Sequence, residues 1–401
     1  MIARILWLST VVFAEVLIGA AGPAGPWWNP EWHARVRIEV DPGGVVRYSK
    51  PVEIEVDFTA LLKQVGLEGR LDEINLRLVE LDRQYSVVDE QVPFQFDKSR
   101  DYDSKTNAAG RLLFMCTGST PADRNRIYEL YFDTVETFRS KAPARIEPQV
   151  SVSDNIEHEG QLSIRIATPS ATYYYHKGGA GFASLEDRDS LDWIGYRPCC
   201  ESGGEYRGIP NLWNFHPGED SCLSKVESWG PLGARLHSWS LDEKWECTWD
   251  IFPDYARLNL LKVDGTYWFL YEGIPGGSLE VERDYNVLST GLRRSIAESW
   301  HGDLPAPEWL YFGDDRIKRA LFLVHLEDDV HSDQFWQMRR EMVVFGFGRE
   351  YPCCGTYMDL APAHFIVGFA EDSVFSGVAS QVNNAYRPLA VKIGTAEILQ
   401  Q

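Results

Sequence analysis

Short runs in which apolar and polar residues alternate with a period of two fill most of this chain, and long stretches with a helical period are scarce. That pattern commits the chain to sheets. Runs at 36–40 (VRIEV), 52–58 (VEIEVDF), 74–80 (INLRLVE), 111–116 (RLLFMC) and 126–133 are bounded by turn residues, with one helical turn near 59–65. They predict a small N-terminal β-sandwich over 30–140. Residues 141–159, with KAPA and Pro148, read as a linker. Beyond it, further runs at 161–168, 171–176, 245–250, 255–263, 266–272, 319–325, 342–347 and 364–370 predict large antiparallel sheets packed face to face over 160–401. One helix is expected at 373–386, where Val374, Val378, Val382 and Tyr386 recur at helical spacing before Pro388. The fold class is all-β.

Residues 1–21 read as an export leader, with Arg4 ahead of an apolar run at 5–18 and Gly19, Ala20 and Ala21 as small residues for cleavage. Glu15 interrupts that run. No second apolar stretch reaches spanning length, so the mature chain is expected to be exported, periplasmic or extracellular, without a membrane span. Its formal charge of −20, from 59 acidic and 39 basic residues, argues against nucleic acid or an anionic membrane as partner. An acidic polysaccharide stays open, because arginines in a cleft can reverse the local potential. Seven cysteines include the doublets Cys199-Cys200 and Cys353-Cys354. Disulfides or buried thiols suit them better than zinc, since the spacing is not that of a C-x-x-C knuckle.

The segment 203–218, GGEYRGIPNLWNFHPG, sets Glu205, Tyr206, Arg207, Asn211, Trp213 and His216 between glycines and prolines. It cannot propagate a helix or a central strand, so it presents these side chains from a loop. The plainer alternative is a buried connection that satisfies its own backbone. No P-loop, G-x-G-x-x-G, H-E-x-x-H or G-x-S-x-G motif is present, which removes the usual nucleotide, zincin and serine-hydrolase readings.

The run TYYYHKGGAGFASLEDRDSLDWIGY at 172–196 resembles the opening of the β-supersandwich domains of the galactose-mutarotase-like group. The resemblance covers about residues 160–370 as a pattern. It implies a supersandwich and a carbohydrate ligand, as in aldose epimerases and several polysaccharide lyases.

Cleavage of a uronate polymer by β-elimination needs a group to neutralise the carboxylate, a base for the C5 proton and an acid for the leaving oxygen. Arg207 or Asn211 fits the first role, His216 or His176 the second, and Tyr206 the third. Trp193, Tyr196 and Trp213, expected to be exposed, offer platforms for sugar rings, with Glu205 beside them. Hydrolysis would instead use two of Glu205, Asp250, Asp254, Glu272 and Glu308, each equally suited to capping a turn. A non-catalytic carbohydrate-binding protein is the third possibility. The acidic run 327–333 (EDDVHSD) has oxygen ligands dense enough for calcium but lacks the EF-hand spacing; it reads as a solvated turn before a short helix capped by Ser332, and no metal or cofactor is expected.

Overall fold

The computed structural model describes residues 14–18, 25–135, 143–197, 207–212, 215–350 and 355–399. Strands take 51% of the chain and helices 7%, so the all-β expectation holds. Two compact units emerge. One takes Val12–Pro148, Gly230–Leu232 and Arg387–Gln401, and the other Gln149–Trp229 and Gly233–Tyr386. The C-terminal residues expected in the second domain therefore lie with the first.

The first unit is a sandwich. Its six-stranded sheet runs Ala14–Ile18, Leu389–Ile398, Ala34–Asp41, Arg126–Phe132, Arg77–Leu81, Val87–Asp89, and its three-stranded sheet Arg47–Asp57, Ala109–Thr120, Phe94–Lys98. Ala14–Ile18, inside the stretch read as an export leader, pairs in parallel with Leu389–Ile398. Alternation buries Val36, Ile38 and Leu130 from one sheet with Ile54, Leu112 and Phe114 from the other. The helix Phe58–Gln64 starts where the Asp57 carboxylate accepts the Ala60 N–H at 3.0 Å, and it buries Phe58, Leu61 and Leu62.

In the larger unit a nine-stranded antiparallel sheet runs Cys222–Trp229, Ala234–Ser240, Glu246–Ile251, Tyr255–Lys262, Ala363–Ala370, Ala320–His325, Trp309–Asp314, Asp284–Leu288, Arg293–Ser295. One face carries Leu236, Trp249, Leu258, Leu323 and Phe365 into the core. The other bears a polar network in which Asp250 accepts from Arg235 at 2.7 Å, Arg257 at 2.7 Å and Asn259 at 2.9 Å. The unit also holds two four-stranded sheets, Gly181–Asp187, Ala171–His176, Gln161–Ala167, Ser151–His158, and Phe269–Gly273, Met342–Phe347, Asp333–Met338, Trp300–Gly302, and a two-stranded one, Arg349–Glu350 with Gly355–Thr356. Phe269 and Phe365 stack at 4.4 Å within the core. The expected helix forms over Phe375–Tyr386.

Two local expectations change. Ser151–His158, inside the predicted linker, is a strand paired with Gln161–Ala167. The run 327–333 leads into the strand Asp333–Met338, not a helix. The reason is that Phe335 pairs with Phe345 in the core while the Asp333 carboxylate accepts the N–H groups of Leu304 and Gly348. Glu327 and Asp333 are buried, so this run is not a solvated turn.

Candidate acid–base site

The glycines around 203–218 act through close approach. A Cβ on Gly208 would stand 2.5 Å from Pro217 Cδ, one on Gly181 2.7 Å from the same atom, and one on Gly179 2.1 Å from the His216 carbonyl oxygen. The backbone of His216 and Pro217 is thereby pressed between two chain segments that carry no side chains there. Gly208 then pairs with Glu272, exchanging N–H···O bonds of 2.9 and 3.1 Å. Glu272 is the fourth residue of the strand Phe269–Gly273, so a core strand fixes where its carboxylate points.

That carboxylate meets the loop. Glu272 Oε2 lies 3.1 Å from His216 Nε2 and accepts from Asn211 Nδ2 at 3.3 Å. Glu272 and His216 are buried, at 5% and 6% exposure, and Asn211 is half-buried. A carboxylate against one ring nitrogen orients an imidazole and stabilises its protonated form, the arrangement of a general base with its supporting acid.

Arg207 has a different task from the one expected. Its guanidinium donates to the carbonyl oxygens of Gly195 at 2.8 Å and Glu341 at 3.0 Å. Burial, followed by the charge of Arg197, lowers its pKa. It ties two loops together and does not present a fork to a uronate. His176 is also corrected as a base. It is fully buried, neither ring nitrogen meets a partner in good hydrogen-bond geometry among the described residues, and burial with the nearby His158 pushes its pKa down to about 3. Such an imidazole stays neutral and is a weak proton acceptor near neutrality.

The two described aromatic platforms are interior. Trp193 is fully buried, and its indole donates to Asp187 Oδ2 at 3.1 Å. Tyr196 is buried with its ring edge-on to His176 at 4.9 Å. Both fill the core because the backbone of 193–196 bonds back to Leu185 and Ala183. Tyr206, Glu205 and Trp213 lie outside the described residues, as do Cys199, Cys200, Cys353 and Cys354. Cys116, Cys222 and Cys247 are buried.

Of the carboxylates considered for hydrolysis, Asp250 is neutralised by Arg235 and Arg257, and Asp254 is exposed in its turn. Glu308 belongs to a second cluster, whose members sequence reasoning named in part but did not bring together. Its Oε2 lies 2.6 Å from His325 Nδ1, while Glu327 holds His364 through Nδ1 at 2.6 Å and the backbone N–H at 2.8 Å. The available signal was positional: Glu308, His325 and His364 stand at the same end of adjacent strands.

No model of a known protein family matches this chain, and no curated protein does. Among solved structures, it is similar to HI1317 at 11% identity and a TM-score of 0.38, over 55% of this chain and 99% of that one. A galactose mutarotase related enzyme from Lactobacillus acidophilus aligns at 10% identity and a TM-score of 0.37, over 52% of this chain and 97% of that one. The active YidC insertase aligns at 8% identity and a TM-score of 0.30, over 56% of this chain and 41% of that one. Likenesses this partial concern chain path and leave chemistry to the site. No helix among the described residues is long and apolar enough to cross a membrane.

Proposed function

We propose that this is an exported carbohydrate-active enzyme that cleaves a uronate-containing polysaccharide by β-elimination at the Glu272–His216–Asn211 cluster. The observation that supports it is the 3.1 Å contact between His216 and Glu272 on a loop that also carries Asn211. In this reading His216 takes the C5 proton and Glu272 stabilises the resulting imidazolium. Asn211 donates to the uronate carboxylate, where charge builds as the enolate forms, and Tyr206 protonates the leaving oxygen. Arg207 keeps the loop in place and takes no part in the chemistry. Elimination is preferred to hydrolysis because Asp250 is held between two arginines, and because the base available is an imidazole backed by a carboxylate.

The test is incubation of the purified chain with a panel of uronate polysaccharides, following the ultraviolet absorbance of the unsaturated product. Product from the wild type and none from His216→Gln supports the assignment. A folded wild type that yields no unsaturated product on any polymer removes elimination. Reducing ends released without unsaturation would instead mark hydrolysis, and anomer exchange without cleavage an epimerase. Export is tested separately, by whether the chain recovered from outside the cytoplasm lacks residues 1–21.

A further inference from the structure

Glu308 stands immediately before the strand Trp309–Asp314, and His325 ends the adjacent strand Ala320–His325. The backbone N–H of His325 donates to the Glu308 carbonyl oxygen at 3.0 Å, which fixes the two residues opposite each other. Four residues on, the chain turns back and the Asp329 N–H donates to Glu308 Oε1 at 3.0 Å. One ligand atom from each of Glu308, His325 and Asp329 then lies within 4.8 Å of the others. Glu308 and His325 are buried and Asp329 is half-buried, so the group is open to solvent on the Asp329 side.

The carboxylates around this group lack a fixed cation. The buried carboxylates Asp187, Asp250 and Asp314 are each matched by arginine, through Arg319, Arg235 with Arg257, and Arg316. Among the described residues no lysine or arginine pairs with Glu308, Glu327, Asp329 or Asp333; Glu308 and Glu327 pair with imidazoles, and Asp333 accepts only backbone N–H groups. Three of these four acids are buried. Several carboxylates held together out of water with no fixed cation carry a large cost unless a cation joins them.

The imidazole is also oriented as a ligand would be. His325 turns Nδ1 toward Glu308, and its Nε2 lies 3.8 Å from Glu327 Oε2. Glu327 is held in turn by His364. A ligating histidine commonly has an anchored carboxylate beyond its far nitrogen; at 3.8 Å Glu327 faces Nε2 as a charge, beyond hydrogen-bond distance. We propose that Glu308, His325 and Asp329 bind a divalent first-row transition cation of the Zn²⁺ or Mn²⁺ class. One nitrogen and two carboxylate oxygens suit such ions better than Ca²⁺ or Mg²⁺, which prefer sets made of oxygen alone. On binding, the Glu308–His325 contact gives way to two metal bonds of about 2.0–2.2 Å.

The experiment uses the full chain, stripped with chelator and titrated calorimetrically with ZnCl₂, MnCl₂ and CaCl₂, with thermal melts alongside. The expected result is one Zn²⁺ or Mn²⁺ bound per chain, a higher melting temperature with the ion, and affinity lowered about tenfold or more in Asp329→Asn. Asp329 is half-buried, and the metal-free melt of this variant reports its folding independently of the metal. Glu308→Gln should lose the same binding. Absence of heat with both Zn²⁺ and Mn²⁺ overturns the proposal. So does binding of equal strength in Asp329→Asn, which would place the ion elsewhere, for example on thiols. A response to Ca²⁺ alone overturns the assignment of ion class.

Discussion

A single oxygen of Glu272, Oε2, lies 3.1 Å from the His216 imidazole and accepts the Asn211 amide at 3.3 Å. Because Glu272 belongs to a core strand and the other two to a loop, the loop's polar side chains take their positions from a rigid element. Glu272→Gln keeps the shape and removes the charge that would support an imidazolium. The expected outcome is a fall in kcat of about 10²-fold or more on a uronate polymer, with the melting temperature little changed. Steady-state kinetics beside a thermal melt checks it, and an unchanged kcat would detach Glu272 from the chemistry.

Arg207 makes the opposite prediction. Its donors close on two carbonyl oxygens from separate loops, so Arg207→Ala should cost about 2–4 kcal/mol of stability through lost charged hydrogen bonds and unpaired carbonyl groups. Denaturant unfolding measures it. Loss of activity at full stability would return Arg207 to the substrate.

His176 gives a pH dependence. Its pKa falls from 6.5 to about 3 on folding, so between those values the unfolded chain binds a proton that the native chain refuses. Stability from this residue is therefore undiminished above pH 6.5 and declines as the pH drops, by about 1.4 kcal/mol per unit within the window. His176→Phe should flatten the acid limb of the stability curve between pH 6 and pH 4, about the middle of that window. Melts across that range should show the wild type falling faster than the variant.

Asp284 runs the other way. Burial, with Asp314 nearby, pushes its carboxyl up to about 7, and Oδ1 has no hydrogen-bond partner among the described residues. The native chain keeps a proton that the unfolded chain releases above about pH 4, so stability is lost as the pH rises toward 7. Asp284→Asn should accordingly be more stabilising at pH 8 than at pH 4, on either side of the window. A variant with the same effect at both values would show that Asp284 ionises freely in the fold.

Strand periodicity made much of the fold legible: 111–116 lies within Ala109–Thr120, 342–347 is Met342–Phe347, and 373–386 contains the helix. Strands such as Cys222–Trp229 and Asp284–Leu288 were missed because serine, lysine and asparagine dilute their apolar runs. At the site, the loop identified His216 and Asn211 as neighbours in sequence. Their partnership with Glu272, 56 residues away from His216, comes from strand pairing that no local pattern encodes. Trp193 illustrates the reverse error. A tryptophan beside polar residues looks like a sugar platform, and only the fold shows Asp187 waiting inside for its indole.

The strand Leu389–Ile398 pairs with Ala34–Asp41, so the first sheet joins strands separated in sequence by the whole of the larger unit. On the ribosome, the strand Ala34–Asp41 emerges early and must wait without its neighbour until the entire larger unit has been made. Its edge stays open for that whole interval, which makes the smaller unit the last to close and the one most exposed to wrong partners during synthesis.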